Sequence, residues 1–372
     1  MNAPASPASA PPLRVLVADD SAVARELLRA ILEAEPGIVV VAAARDGEEA
    51  VRLAAKHRPD VVTMDIHMPR LNGFEATREI MHRHPTPIVV ISGSSNTAEV
   101  NIGFQAMTAG AVAVLQRPHG VGHPAFEADA RALVRTVRAM AEVKVVRRWQ
   151  AGRSAPSPAS SPRAASLPRE IRGPIDIVAI GSSTGGPVAL QTILSRLPAG
   201  LPFPLVIVQH MTEGFMPGFA DWLARSAPFP VRIAAHQDKL LPGHAYLAPD
   251  GTHLAVARGG RIQLLDTEPE RGLRPSVGVF FRSVASVYGS RSLAVLLTGM
   301  GVDGAAELKQ LRELGAATVA QDRASCVVFG MPGAAIKLGG ASWILPPEEI
   351  AALLARISNN DNPMTEASSC RP

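Results

Sequence analysis

With 372 residues, 47% of them hydrophobic, the chain exceeds one ordinary domain and can bury two sizeable cores. Its net charge of +4 carries a basic excess between Arg131 and Arg172 that reads as a solvated linker rather than a nucleic-acid groove, and two cysteines, Cys326 and Cys370, exclude a disulfide framework or a cysteine metal site. The Ala/Pro/Ser-rich opening lacks a signal-peptide pattern and no apolar run approaches the ~20 residues of a membrane span, so a cytoplasmic protein with no membrane insertion and no nucleic-acid partner is expected.

From Leu13 onward, apolar strand runs alternate with amphipathic helical stretches. Strands are predicted at Leu13–Ala18, Ile38–Ala43, Asp60–Met64, Pro87–Ile91 and Ala111–Leu115. Helices are predicted at Ala22–Glu33, Gly47–Lys56, Gly73–His82, Ala98–Ala109 and Ala125–Val146. Five such units make an α/β domain with a doubly wound parallel sheet, whose binding sites lie outside the carboxyl ends of the strands. Those ends carry Asp19, Asp20, Asp65, Ser92 and Arg117-Pro118. Three carboxylates on one edge repel unless a cation neutralises them, and hard oxygen donors suit Mg2+ beside a phosphoryl group. Asp65 is then the phosphate acceptor, with Ser92 placed to hydrogen-bond the new phosphoryl oxygens. The competing reading, in which Asp19 and Asp20 cap the helix at Ala22, explains one strand-end carboxylate better than three.

Residues Leu13 to about Arg138 resemble a response-regulator receiver domain, through Asp19-Asp20, Met64-Asp65-Ile66-His67-Met68-Pro69, Asn72-Gly73 and Ser92. The resemblance implies a flavodoxin-like fold, a Mg2+ site at Asp19, Asp20 and Asp65, and phosphorylation of Asp65 by a histidine kinase. Two positions depart from the family: Arg117 replaces its lysine, and Val114 its aromatic residue. Arginine is bulkier and forks its donors differently, so the exchange bears on how phosphorylation couples to surface change. His67 reads as a rim residue, since a metal there would need a softer partner.

Between Val145 and Pro174 the periodicity gives way to Ala, Pro, Ser and Arg, the composition of a semi-flexible linker. Alternation then returns. Strands are predicted at Ile175–Ile180, Leu205–Gln209, Val231–Ala235, His244–Ala248, Leu254–Ala257, Leu293–Thr298, Thr318–Gln321 and Ser342–Leu345. Helices are predicted at Pro187–Arg196, Gly214–Ser226, Ser276–Tyr288, Gly304–Leu314, Pro332–Leu338 and Pro347–Arg356. This is a second doubly wound α/β unit, with a β-hairpin insertion around His244–Leu265 that turns at Gly259-Gly260.

The first strand-to-helix turn of this unit, Gly181-Ser182-Ser183-Thr184-Gly185, fits G-x-S-x-G and marks Ser183 as a nucleophile; glycines there equally suit a phosphate cradle. Two more strand-end turns carry His210 and Asp303. Gathered on one sheet edge, the three supply a nucleophile, a general base and an orienting carboxylate. N–H groups after Ser183 and at Met300 are candidates for the oxyanion hole. Taken singly, each has a plainer use, Asp303 above all as a cap for Gly304–Leu314. His236, His244 and His253 are rival bases in poorer positions. Nucleotide binding loses ground because no lysine follows the glycines and no acidic residue stands at the next strand end.

From about Gly173 to Ile357 the chain resembles the catalytic domain of chemotaxis-type protein-glutamate methylesterases. The motifs are Ile180–Gly186, Val208-Gln209-His210-Met211, Leu241–Pro249, Arg274-Pro275-Ser276-Val277, Leu297–Ala305 and Ala320–Pro332. The resemblance implies a Rossmann-like fold, a triad of Ser183, His210 and Asp303, active-site roles for Thr184 and Met300, and no cofactor for the esterase step. It also implies that the substrate is a methylated glutamate on chemoreceptor cytoplasmic helices, that receptor glutamine is deamidated, and that the receiver covers the catalytic site until phosphorylated. Met216-Pro217-Gly218 and Ser342-Trp343 depart from the family pattern away from the triad.

The expected organisation is a tail at 1–12, the receiver at 13–140, a linker at 141–172, the catalytic domain at 173–358 and a second tail at 359–372, in a monomer. Of a different class is a non-catalytic adaptor whose receiver gates binding to a receptor or another partner.

Overall fold

The computed structural model describes residues 11–93, 104, 106–107, 109–143 and 173–360. The chain divides into two compact units, Met1–Gln150 and Ala151–Pro372. Most of the helix expected at Ala98–Ala109, most of the linker and most of both tails fall outside the described residues.

In the first unit, β1 (Leu13–Ala18), β2 (Ile38–Ala44), β3 (Val61–Asp65), β4 (Ile88–Ser92) and β5 (Ala113–Gln116) form a parallel sheet in the order β2-β1-β3-β4-β5. Val15–Val17, Val61, Val62, Met64 and Ile88–Ile91 are buried. Such near-continuous apolar runs form strands covered on both faces, here by α1 (Ala22–Glu33), α2 (Gly47–His57), α3 (Gly73–Arg83) and α4 (Phe126–Ala141). Ser21, Asp46 and Asn72 cap the first three helices by accepting from the N–H groups of Ala24, Glu49 and Glu75. Because Ser21 caps α1, the helix-cap reading of Asp19 and Asp20 does not hold. Asp19 instead accepts the Ser21 N–H at 2.9 Å. Gly73 must lack a side chain: a Cβ there would lie 1.9 Å from the Asp65 carbonyl oxygen.

The second unit contains β6 (Ile177–Ser182), β7 (Leu205–Gln209), β8 (Val231–Ile233), β9 (Ala245–Leu247), β10 (His253–Ala257), β11 (Arg261–Leu265), β12 (Ser292–Leu296), β13 (Ala317–Gln321) and β14 (Trp343–Leu345). Its helices are α5 (Gly186–Leu194), α6 (Met216–Ala224), α7 (Val277–Val287), α8 (Ala305–Glu313), α9 (Met331–Lys337) and α10 (Pro347–Asn360). Seven strands form a parallel sheet in the order β14-β13-β12-β6-β7-β9-β8. Ile177, Ala179, Val206 and Val208 pack with Phe280, Phe281, Leu308 and Met331 in its main core.

The hairpin is smaller than its sequence suggests. Only β10 and β11 pair antiparallel, and β9 lies inside the main sheet, parallel to both β7 and β8. The reason is burial: Ala245, Tyr246 and Leu247 are all fully buried, which a two-stranded insertion could not provide. Among the described residues no helix is long and apolar enough to cross a membrane.

Candidate active site and cation pocket

Strands β12, β6 and β7 are parallel neighbours, so the chain leaves all three at one sheet edge. Ser183 follows β6, His210 follows β7, and Asp303 lies in the loop between β12 and α8. Backbone bonds lace these exits together: Ser183 N–H donates to Thr298 O at 3.0 Å, and His210 N–H to Ser182 O at 2.9 Å.

Asp303 is the most tightly held member. Its Oδ2 accepts from His210 Nε2 at 3.0 Å and from Val277 N–H at 2.7 Å. Its Oδ1 accepts from Ser276 Oγ and from Gly278 N–H, each at 3.0 Å. Burial alone would raise this carboxyl, but the hydrogen bond and charge of His210 and the Gly278 and Val277 N–H groups outweigh it and hold the pKa below its ordinary value. Asp303 therefore serves a different helix from the one it was expected to cap. Gly304 occupies the N-cap of α8, whereas Asp303 faces the N-terminus of α7, whose dipole favours an anion. An ionised carboxylate only accepts, so His210 Nε2 carries the proton, which in the neutral ring puts the lone pair on Nδ1.

Ser183 is partly buried. Among the described residues its hydroxyl makes no hydrogen bond to His210, so the fold joins the two backbones without making the O–H···N bond. Such bonds often tighten only when substrate is bound. Ser182 is fully buried and its hydroxyl donates to Gln209 Oε1 at 2.7 Å, which leaves Ser183 as the serine with an available hydroxyl. Gly299 permits this approach, since a Cβ there would lie 2.7 Å from Ser183 Cβ. Thr184 is held through its carbonyl by Thr298 Oγ1 at 2.9 Å, while Met300 is 48% exposed at the rim. The Ser183 N–H is spent on Thr298; among the described residues the N–H groups of Thr184 and Met300 donate to no protein acceptor.

Sequence reasoning missed three supporting residues. Gln209 is 2% exposed and bonds the carbonyls of both Ser183 and His210. Ser276 caps α7 and bonds Asp303. His253, weighed only as a rival base, is fully buried, accepts the Ser276 N–H at Nδ1 and turns Nε2 to Glu268 O. A polar residue closing an apolar strand, as Gln209 does, was the available signal. His236 is exposed and His244 bonds its own loop at Pro242 O.

In the first unit, carboxylate oxygens of Asp19, Asp20 and Asp65 lie within 4.8 Å of one another. Convergent hard oxygens of this kind fit Mg2+. Burial, reinforced by the charge of Asp19 and opposed by Arg117, pushes Asp65 up to about 6; burial likewise raises Asp19 against the pull of Arg117. Arg117 Nη2 donates to Asp19 Oδ2 at 2.9 Å and to Asp65 Oδ1 at 2.8 Å, while its Nε–H is buried with no acceptor among the described residues. Ser92 is buried at the end of β4. His67 is exposed, and its backbone N–H donates to Asp65 Oδ2 at 3.0 Å.

Comparison with known proteins agrees with both halves. Residues 178–354 match the CheB methylesterase family and residues 15–123 the response regulator receiver domain. A protein-glutamate methylesterase/protein-glutamine glutaminase of Nitrosospira multiformis is 54% identical over 93% of this chain and 97% of its own length. One from Geobacter metallireducens is 52% identical over 93% of this chain and 99% of its own. The crystal structure of the Thermotoga maritima CheB methylesterase catalytic domain is 37% identical, with a TM-score of 0.48, covering 50% of this chain and all of that one. The chain belongs to the protein-glutamate methylesterase/protein-glutamine glutaminase family, in which a CheB-type catalytic domain is joined to a response-regulator receiver domain.

Proposed function

We propose that Ser183 hydrolyses glutamate methyl esters on the cytoplasmic helices of chemoreceptors, under control of phosphorylation at Asp65. The reading is carried by the 3.0 Å bond from His210 Nε2 to Asp303, on the sheet edge that also presents the Ser183 turn. His210 Nδ1 takes the hydroxyl proton as Ser183 Oγ attacks the γ-carboxyl carbon, and Asp303 stabilises the imidazolium. The tetrahedral oxyanion meets the N–H groups of Thr184 and Met300, where one donor is worth about 3 kcal/mol. Collapse expels methanol, which takes the proton from His210. Water then attacks the glutamyl ester with His210 again as base, a role worth roughly 10²–10⁴ in rate. A glutamine side chain enters the same cycle with ammonia leaving instead of methanol.

In the receiver, spanning 13–140 and joined by the 141–172 linker to the catalytic domain at 173–358, Asp19, Asp20 and Asp65 would hold Mg2+. The bound ion supplies charge neutralisation for the incoming phosphoryl group. Asp65 is the acceptor from a histidine kinase, Ser92 and Arg117 are the switch residues, and the protein works as a cytoplasmic monomer. The first test is methanol release from methylated receptor fragments: Ser183→Ala should lose at least about 10³-fold in rate, and a rate equal to wild type overturns the assignment. In the second, acetyl phosphate with Mg2+ should label the wild type and not Asp65→Asn; a persistent label excludes that acceptor.

A further inference from the structure

We infer that Gln209 is a positioning residue that sets the distance between nucleophile and base, an inference resting on the reading of Ser183 and His210 given above. Its side-chain amide lies at the end of β7, 2% exposed. Nε2 donates one hydrogen bond to the carbonyl of Ser183 at 2.8 Å and one to the carbonyl of its neighbour His210 at 2.7 Å. Oε1 accepts from Ser182 Oγ at 2.7 Å. The amide orientation is forced, because two carbonyl oxygens can face only the nitrogen.

The register pair Ser182–Gln209 is the last between β6 and β7. The last backbone bond between the two exits runs from His210 N–H to Ser182 O at 2.9 Å, and among the described residues no backbone bond joins Ser183 directly to His210. One planar nitrogen holding a carbonyl of each adds a tie one residue beyond that bond. Gly186 belongs to the same device: a Cβ there would lie 2.1 Å from Gln209 Oε1. Ser182 thereby acquires a role of its own, fixing the far end of the amide rather than duplicating Ser183.

The experiment measures methanol release by the full chain, with Ser183→Ala run alongside. Gln209→Met keeps the volume and removes every hydrogen bond. Its kcat should fall about 10²-fold with KM near wild type, the loss expected when a catalytic group drifts by about 1 Å. Gln209→Glu adds a signature that space-filling would not produce. When protonated it still donates to one carbonyl; when ionised it repels both. Its kcat relative to wild type, taken at each pH so that His210 cancels, should therefore fall as pH rises. A Gln209→Met kcat within about threefold of wild type, or a flat Gln209→Glu ratio, overturns the inference. If Gln209→Met does not fold, the Gln209→Glu ratio decides alone. Loss of activity in Ser183→Ala with full activity in Gln209→Met sinks the clamp and leaves the nucleophile standing, whereas an active Ser183→Ala sinks both.

Discussion

Arg117 occupies the place where the receiver's carboxylates would grip a metal, and replacing it with methionine should tighten Mg2+ binding. The guanidinium makes two charge-assisted bonds, at 2.9 Å to Asp19 and 2.8 Å to Asp65. Each such bond is worth ~1.5–3 kcal/mol. Arg117 is 29% exposed and its Nε–H goes without an acceptor, so solvent screening and imperfect fit take back about half. The remaining ~1.5–3 kcal/mol is what an incoming cation must overcome, equivalent to roughly 10- to 150-fold in affinity. Calorimetric titration of Mg2+ into the full chain, at pH 8 and low salt, reads this directly. High pH keeps Asp65 ionised, since its pKa is raised to about 6. An Arg117→Met Kd within about twofold of wild type, or weaker than it, would refute competition between guanidinium and metal.

Two further outcomes follow from the carboxylates. Asp303→Asn puts an amide N–H against donors that require an acceptor, at the oxygen shared by His210 and Val277 N–H or at the one shared by Ser276 and Gly278 N–H. The methanol-release kcat should fall by about 10³–10⁴, and a loss under tenfold would show that the His210 orientation is set elsewhere. Asp65, raised from 3.8 to about 6, holds a proton in the folded state that the unfolded chain releases. Metal-free receiver stability should therefore decline as pH rises from about 4 through 6, by up to ~3 kcal/mol for this group. Chemical denaturation across that window, with Asp65→Asn as control, checks the slope, and a slope equal in both proteins counts against it.

The strands were legible wherever burial on both faces writes a continuous apolar run, as in Leu205–Gln209 and Ile88–Ser92. Strand β9 was visible as a strand but not as a member of the main sheet. Three residues carry no mark of which strand they pair with, and parallel partners are joined by crossovers rather than by tight turns. The turns bearing Ser183, His210 and Asp303 could be found because each follows such a run. What Asp303 touches could not: Ser276, Val277 and Gly278 precede it by about twenty-five residues, and only the packing of α7 brings their donors to it. The choice of Nε2 for Asp303 is likewise a matter of ring orientation that spacing does not encode.

The same side chain is given opposite properties at two strand ends. Asp303 is buried, yet three donors and an imidazole surround it, so the ionised form wins and the carboxylate stays an acceptor. Asp65 is also buried, but it has one backbone N–H and a shared guanidinium against the charges of Asp19 and Asp20, so desolvation wins. The orienting role proposed for Asp303 needs a group that does not react, and saturating both oxygens suits that. The phosphoryl-acceptor role proposed for Asp65 needs an oxygen that is under-solvated and open to a cation. The difference between them is the number of donors each fold position supplies.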